Sequence, residues 1–154
     1  MAKEIERKFL VKDESFREMA SRVIDITQAY LSRDQDRTVR VRVAGDEGYI
    51  TVKTRNEGAT RNEWEYAIPI DDAREMINAC PEPILSKHRH IVMYDDLKWE
   101  VDVFDDNNLI LAEVELPDEN HHIDRFPPFI DREVTGDPRY YNSNINNNID
   151  DVKR

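Results

Sequence analysis

Lys3-Glu4-Ile5-Glu6-Arg7-Lys8-Phe9-Leu10-Val11 changes character at every step: Glu4, Glu6 and Lys8 alternate with Lys3, Ile5, Arg7 and Phe9. Successive side chains of an extended chain point to opposite faces, so this stretch predicts a strand with one charged side and one mixed, partly apolar side. Residues 37 to 44 repeat the pattern, with Val39, Val41 and Val43 set against Arg40 and Arg42. Further alternating stretches at 24 to 32, 48 to 54, 61 to 70, 84 to 94, 98 to 104 and 109 to 116 bring the expected total to about eight strands. Gly45-Asp46-Glu47-Gly48, Asp95-Asp96 and Asp105-Asp106-Asn107-Asn108 have turn compositions and the short lengths that join antiparallel neighbours. The sheet is therefore expected to be an antiparallel meander.

Two segments follow a helical period instead. Phe16, Met19, Ala20 and Val23 predict a helix within 13 to 23, with Ser15 and Glu18 in capping-box relation. Ala73, Met76, Ile77 and Cys80 predict another over 72 to 80, ended by Pro81 and Pro83. Beyond Pro117 the pattern weakens. Pro127-Pro128 demands an extended connection, residues 138 to 148 predict a helix with a poor end at Asn146, Asn147 and Asn148, and about 145 to 154 read as a frayed tail. The 154 residues amount to one domain, 1 to 154, without repeat or linker. The fold class is α+β, mainly antiparallel β with a few flanking helices, and the strands form either a sandwich or a closed barrel that removes its own edges.

Composition excludes several function classes. Lys plus Arg number 22 against 33 Asp plus Glu, a net charge of −11, so no bulk positive field gathers nucleic acid or anionic lipid. Cys80 is the single cysteine, which rules out an intrachain disulfide, a zinc ribbon and a CxxC redox pair, and fits a reducing cytosol. Apolar runs such as Leu109 to Ala112 are too short to span a bilayer. The expected setting is cytoplasmic, with no membrane and no nucleic-acid partner.

The charged strand faces carry the chemistry. Glu4/Glu6/Lys8, Arg40/Arg42, Glu63/Glu65, Lys87/Arg89, Glu100/Asp102 and Glu113/Glu115 are same-side sets, and Lys53 closes the run Tyr49, Thr51, Lys53. Taken singly, each reads as the wet face of a half-exposed strand. Their opposite faces argue otherwise: Trp64, Tyr66 and Ile68, then Ala112, Val114 and Leu116, then Trp99, Val101 and Val103 must all pack somewhere. If those faces pack outward, the charged ones converge on a lumen, where like-charged neighbours need counter-charges or bound ions. Carboxylates at this spacing supply hard oxygens for magnesium or manganese, and Arg and Lys supply donors to phosphate. A metal-bound polyphosphate satisfies both signs. The pairs His88/His90 and His121/His122 read as surface histidines, Trp64 and Trp99 as outward packing residues.

Glu4-Ile5-Glu6-Arg7-Lys8 resembles the E-x-E-x-K marker of the CYTH superfamily, the triphosphate tunnel metalloenzymes. With it come Gln28-Ala29-Tyr30-Leu31, Arg40-Val41-Arg42, Thr51-Val52-Lys53, Arg61-Asn62-Glu63-Trp64-Glu65, Lys87-His88-Arg89, Glu100-Val101-Asp102-Val103-Phe104, Ala112-Glu113-Val114-Glu115-Leu116 and Glu133-Val134-Thr135, in the order bacterial members show, over about residues 2 to 144. The resemblance implies an eight-stranded closed barrel whose tunnel binds a linear triphosphate with Mg2+ or Mn2+. By position, Lys8, Arg40, Arg42, Lys53, Lys87 and Arg89 would bind phosphate, and Glu4, Glu6 and Glu113 would hold a metal that orients the chain. Glu63, Glu65, Glu100, Asp102 and Glu115 would complete the acidic wall, some serving a second metal. Lys8 and Tyr30 match a catalytic Lys and Tyr pair that tunes activity in related enzymes. One departure stands out: some relatives carry a basic residue in the closing C-terminal segment, where this chain offers only Arg139 before Lys153.

The implied reaction is hydrolysis of inorganic triphosphate to diphosphate and phosphate by a metal-activated water. The alternatives are a class IV adenylate cyclase, a thiamine or nucleoside triphosphatase, and a noncatalytic polyphosphate-binding module. The substrate partner is a small-molecule triphosphate; the oligomeric state is left open, a homodimer included.

Overall fold

In a computed structural model that describes residues 3–81 and 83–145, eight antiparallel strands close into a ring. They are β1 (Lys3–Val11), β2 (Arg22–Ser32), β3 (Thr38–Ala44), β4 (Glu47–Lys53), β5 (Thr60–Ile68), β6 (Leu85–Tyr94), β7 (Leu97–Phe104) and β8 (Ile110–Glu115). The spatial order is β5-β4-β3-β2-β6-β7-β8-β1, and Lys3, Glu4 and Ile5 of β1 pair back onto Asn62, Arg61 and Thr60 of β5. The closed barrel, not the sandwich, is the architecture. Gly45 (φ 57°) makes the two-residue link from β3 to β4, and Asp95 and Asp96 (φ 49° and 64°) link β6 to β7 through the left-handed conformation that matches the twist of flanking strands.

A ninth strand, β9 (Ile130–Glu133), was outside the expected eight. It lies along β1 beyond the point where β5 leaves, pairing Phe9 with Glu133 and Val11 with Ile130. Four residues after a Pro-Pro pair give too little alternation to announce a strand.

The helices depart further from expectation. The first, α1, runs only Phe16–Met19, because Arg22 already pairs with Ile91 and the Ser21 amide donates to the Ile91 carbonyl. The capping box does not form; the Ser15 hydroxyl donates to Asp13 instead. The second, α2 (Ile70–Ala79), starts two residues earlier than read and stops at extended Cys80, before Pro81. The expected helix over 138 to 148 is a single 3-10 turn, Pro138–Tyr140, capped by the Asp137 side chain, followed by turns to 145. Residues 146 to 148 lie outside the described residues, as does most of the expected frayed tail, but Ile145 is fully buried.

Strand alternation then sorts the apolar side chains into three groups. Phe9, Val92, Trp99, Val101, Ala112 and Val114 point outward and are covered by Phe16 of α1 and by Leu116, Ile123 and Phe129 of the segment after β8. Ala29 and Val41 point outward beneath Ala73 and Ile77 of α2. The third group lies inside. Leu10, Leu85, Phe104 and Leu111 share the inward side of their strands and pack with Val134, Tyr140 and Ile145 of the C-terminal segment, plugging one end of the barrel. His90 is a correction: it is buried against the edge of Phe16, because it shares the outward face with fully buried Val92. His88 does stay at the surface, as read, half-exposed and held between Asp25 and Asp105. No helix among the described residues is long and apolar enough to cross a membrane.

Candidate functional site

Inside the ring, above the apolar plug, is a cavity of about 250 Å³ whose wall is almost wholly polar. Fourteen of the fifteen residues singled out from the sequence line it: Glu4, Glu6, Lys8, Tyr30, Arg40, Arg42, Lys53, Glu63, Glu65, Lys87, Arg89, Glu100, Glu113 and Glu115. They meet because each sits on the inward side of its strand, two residues from the next. Asp102 is the exception. It lies beneath the wall, 1% exposed, accepting from Arg89 Nε and Nη2 at 2.8 and 2.9 Å and pairing with Lys87 Nζ at 2.8 Å.

Sequence reasoning passed over Arg61 and Lys98, though parity would have found them: Arg61 precedes Glu63 by two residues and Lys98 precedes Glu100 by two. It also passed over Thr38, Tyr141, Asn142 and Ser143, which carry no charge signal. Lys98 is 58% exposed at the side chain and shares a shallow outer depression with Glu100, Glu115 and Pro117, which marks the solvent end opposite the plug.

Most of the wall charges are already paired. Lys53 Nζ lies 3.0 Å from Glu4 and 3.1 Å from Glu63, Arg61 Nε 3.1 Å from Glu4, Lys8 Nζ 3.3 Å from Glu113, and Arg40 3.5 Å from Glu65. Burial resists ionisation of Glu4, but Lys53, a hydrogen bond from Glu63 and Arg61 outweigh it and hold the pKa well below the carboxylate range. Burial, then the same bond, pushes Glu63 up to about 7. Burial likewise opposes ionised Glu113 and is outweighed by Lys8, Arg89 and Lys87.

Two carboxylates and one guanidinium escape this pairing. Glu6 and Glu115 face each other in the β1 and β8 ladder, and neither makes an ion pair among the described residues. Burial, then the charges of Glu113 and Glu4, lift the Glu6 pKa well above its ordinary value; burial, then Glu4 and Glu100, raise Glu115. On the cationic side Arg42 has no carboxylate partner among the described residues. Its Nε and Nη2 donate to Gln28 Oε1 at 2.9 and 2.6 Å, and burial plus the charges of Arg40 and Arg89 lower its pKa to about 9. Arg40 Nε is buried with no hydrogen-bond acceptor, a donor left open. Burial, with Arg89 and Arg42 working in the same direction, lowers Lys87 to about 7 although Asp102 opposes them.

The C-terminal segment lies against this wall through neutral acceptors. Lys8 Nζ donates to the Tyr140 carbonyl at 2.9 Å, Lys87 Nζ to Asn142 Oδ1 at 2.6 Å, and Arg33 to the Ser143 carbonyl at 3.0 Å. The expected partnership of Lys8 with Tyr30 is not made: Lys8 turns to Glu113 and Tyr140, with the Tyr141 ring 6.0 Å away, and the Tyr30 hydroxyl accepts from Gln28 at 3.2 Å. Arg139 pairs with Asp137, so closure at this end uses an amide and carbonyls.

A family model for the CYTH domain matches residues 2–141. An inorganic triphosphatase of Acetivibrio thermocellus is 45% identical over 94% of this chain and 94% of its own length, and an inorganic triphosphatase of Nitrosomonas europaea is 33% identical over 90% of this chain and 93% of its own. The crystal structure of the inorganic triphosphatase NE1496 aligns with a TM-score of 0.64 at 29% identity, covering 94% of this chain and 95% of that one. A putative adenylate cyclase from Bacillus halodurans shares the fold, with a TM-score of 0.60 at 19% identity over 77% of this chain and 84% of that one.

Proposed function

This chain belongs to the CYTH domain family, and from that premise we propose that its barrel hydrolyses inorganic triphosphate to diphosphate and phosphate with a divalent metal, Mg2+ or Mn2+. The observation that carries the reading is the division of the lumen wall among the described residues: carboxylates Glu6 and Glu115 without an ion pair on one side, and on the other Arg42 without a counter-ion beside Arg40 with an open Nε.

The donor chemistry fits a hard cation. Glu6 and Glu115 are oxygen donors paired across the β1 and β8 ladder with Glu113 next in it, and a cation held by them would relieve the repulsion that Glu113 and Glu4 exert on Glu6 and that Glu4 and Glu100 exert on Glu115. Among the described residues no three such groups already form a ready-made cage. That suits magnesium, which is commonly held by one or two carboxylates together with substrate phosphate oxygens. When bound, the ion supplies Lewis acidity at phosphoryl oxygens and a water acidic enough to attack phosphorus.

The chain's own residues supply the rest. Arg40, Arg42, Lys87 and Arg89 neutralise charge on the phosphoryl oxygens and hold the anion in line. Lys8 stays protonated: burial opposes its charge, but Glu113 and Glu6 outweigh it, so it serves as a cation and not as a base. Because Tyr30 accepts from Gln28, its own proton is left to donate into the cavity. Asp102 acts here as the counter-ion that holds Lys87 and Arg89, in place of the metal-ligand role inferred from its position.

Among the described residues Tyr30 and Tyr141 are the aromatic rings of the wall, which is otherwise charged or polar and offers little to hold an adenine or thiamine ring. The test is phosphate release from tripolyphosphate, ATP and thiamine triphosphate with Mg2+ or Mn2+, with cyclic AMP measured alongside. Tripolyphosphate is expected to give the highest kcat/KM; cyclic AMP in excess of phosphate would overturn the assignment. For the binding wall, Arg40→Ala removes a charge-assisted donor worth roughly 1.5–3 kcal/mol, so KM should rise about tenfold or more. Saturation kinetics with an unchanged KM would remove Arg40 from the phosphate site.

A further inference from the structure

Behind Arg42, outside the set of lumen charges, stands Gln28. It is fully buried and shares the inward side of β2 with Tyr30. Its two amide atoms are both committed. Oε1 accepts from Arg42 Nε and Nη2, while Nε2 donates to the Tyr30 hydroxyl at 3.2 Å and to Asn142 Oδ1 at 3.3 Å. Asn142 Oδ1 in turn accepts from Lys87 Nζ. Arg42 can only donate, and so does Lys87 in its ammonium form beside Asp102, so with both charged they fix the orientation of both amides along the order Arg42, Gln28, Asn142, Lys87.

The neutrality of this chain matters. Lys8, Arg40, Lys53, Arg61, Lys87, Arg89 and Lys98 each have a carboxylate partner, whereas Arg42, held as firmly as any, is held by an uncharged oxygen. A glutamate at position 28 would fit the same space and grip Arg42 harder, but it would cancel the charge that an anion must find. The amide also ties the C-terminal segment to the wall through Asn142, which a carboxylate would repel.

We propose that Gln28 is a positioning residue that sets triphosphate affinity: it fixes the Arg42 guanidinium and Tyr30 hydroxyl toward the anion without neutralising Arg42, and couples both to Lys87 through Asn142. This rests on the triphosphate reading of the cavity. Gln28 touches no reacting atom; it acts through Arg42, Tyr30 and Asn142.

The test compares wild type, Gln28→Glu and Gln28→Met in the full chain by saturation kinetics and by calorimetric titration with tripolyphosphate, with melting temperatures in parallel. Gln28→Glu should raise KM and the tripolyphosphate dissociation constant by tenfold or more, with a smaller change in kcat. Gln28→Met, which removes the acceptor but adds no charge, should raise KM less than Gln28→Glu does. Equal KM values for wild type and a folded Gln28→Glu would overturn the proposal, as would a Gln28→Met defect equal to that of Gln28→Glu. If Gln28→Glu does not fold, Asn142→Asp carries the test from the half-buried end of the chain: its carboxylate would pair with Lys87, KM should rise, and an unchanged KM overturns the coupling. A wild type that binds tripolyphosphate but does not cleave it defeats the hydrolytic reading alone, since the titrations still report on Gln28.

Discussion

Asp102→Asn should lower the stability of the protein by about 3–5 kcal/mol, a fall of roughly 6–20 °C in Tm. Asp102 and Lys87 are each 1% exposed, and Arg89 reaches the same carboxylate through two hydrogen bonds. Removing the charge leaves two buried cations with too little compensation, a larger cost than the loss of any surface pair. Burial works against the ionised carboxylate, but Arg89 and Lys87 outweigh it and depress its pKa below the ordinary value of 3.8. The stability it contributes is therefore present above that pH and is lost as acid titrates the folded state, so wild type and variant should converge in strong acid. Thermal melts from pH 8 down into strong acid check this: the gap between the two proteins should be constant above pH 3.8 and shrink below it. A variant that melts with wild type at pH 7 yet is inactive would instead return Asp102 to the metal-binding set.

Glu6→Gln should have the opposite balance, with turnover reduced on the order of a thousandfold and the protein no less stable, or more so. The wild-type carboxyl is penalised by burial and by Glu113 and Glu4, and no ion pair among the described residues relieves it. Because its folded pKa is raised, the stability associated with its protonated form is complete below pH 4.5 and is lost as pH rises. The advantage of the amide should accordingly be absent below pH 4.5 and grow toward neutrality. Melting curves without metal and initial rates with Mg2+ or Mn2+ measure the two effects on one sample. Activity within tenfold of wild type would remove Glu6 from the metal set, and a lower Tm at pH 7 would contradict the repulsion.

These contrasting expectations show where sequence reading succeeds and stops. Period-two alternation located all eight barrel strands to within about two residues, because a strand that is charged on one side and apolar on the other has one stable way to sit in a closed sheet. The same parity put Glu4, Glu6, Lys8, Arg40 and Arg42 on the lumen wall. It cannot separate Asp102 from Glu100: both are inward carboxylates two residues apart, and only the lengths and directions of Lys87 and Arg89 decide that one is a counter-ion beneath the wall. Helical spacing over 13 to 23 lost to the ladder that Arg22 makes with Ile91, a contact 69 positions away. The Gln28 and Asn142 amides carry no charge to mark them, Asn142 lies outside any strand, and their role emerged only when Arg42 and Lys87 were seen to converge on them.

The apolar plug formed by Leu10, Leu85, Phe104 and Leu111 with Tyr140 and Ile145 makes the barrel a blind vessel. With that end filled, the proposed reaction would return diphosphate and phosphate past Lys98, and a long polyphosphate would not be threaded through and cut as it passes. On such a substrate the protein would act distributively, releasing the shortened chain after each cut. A ladder that shortens uniformly over time is the corresponding pattern on a gel; full-length chains coexisting with end products would mean that the far end opens.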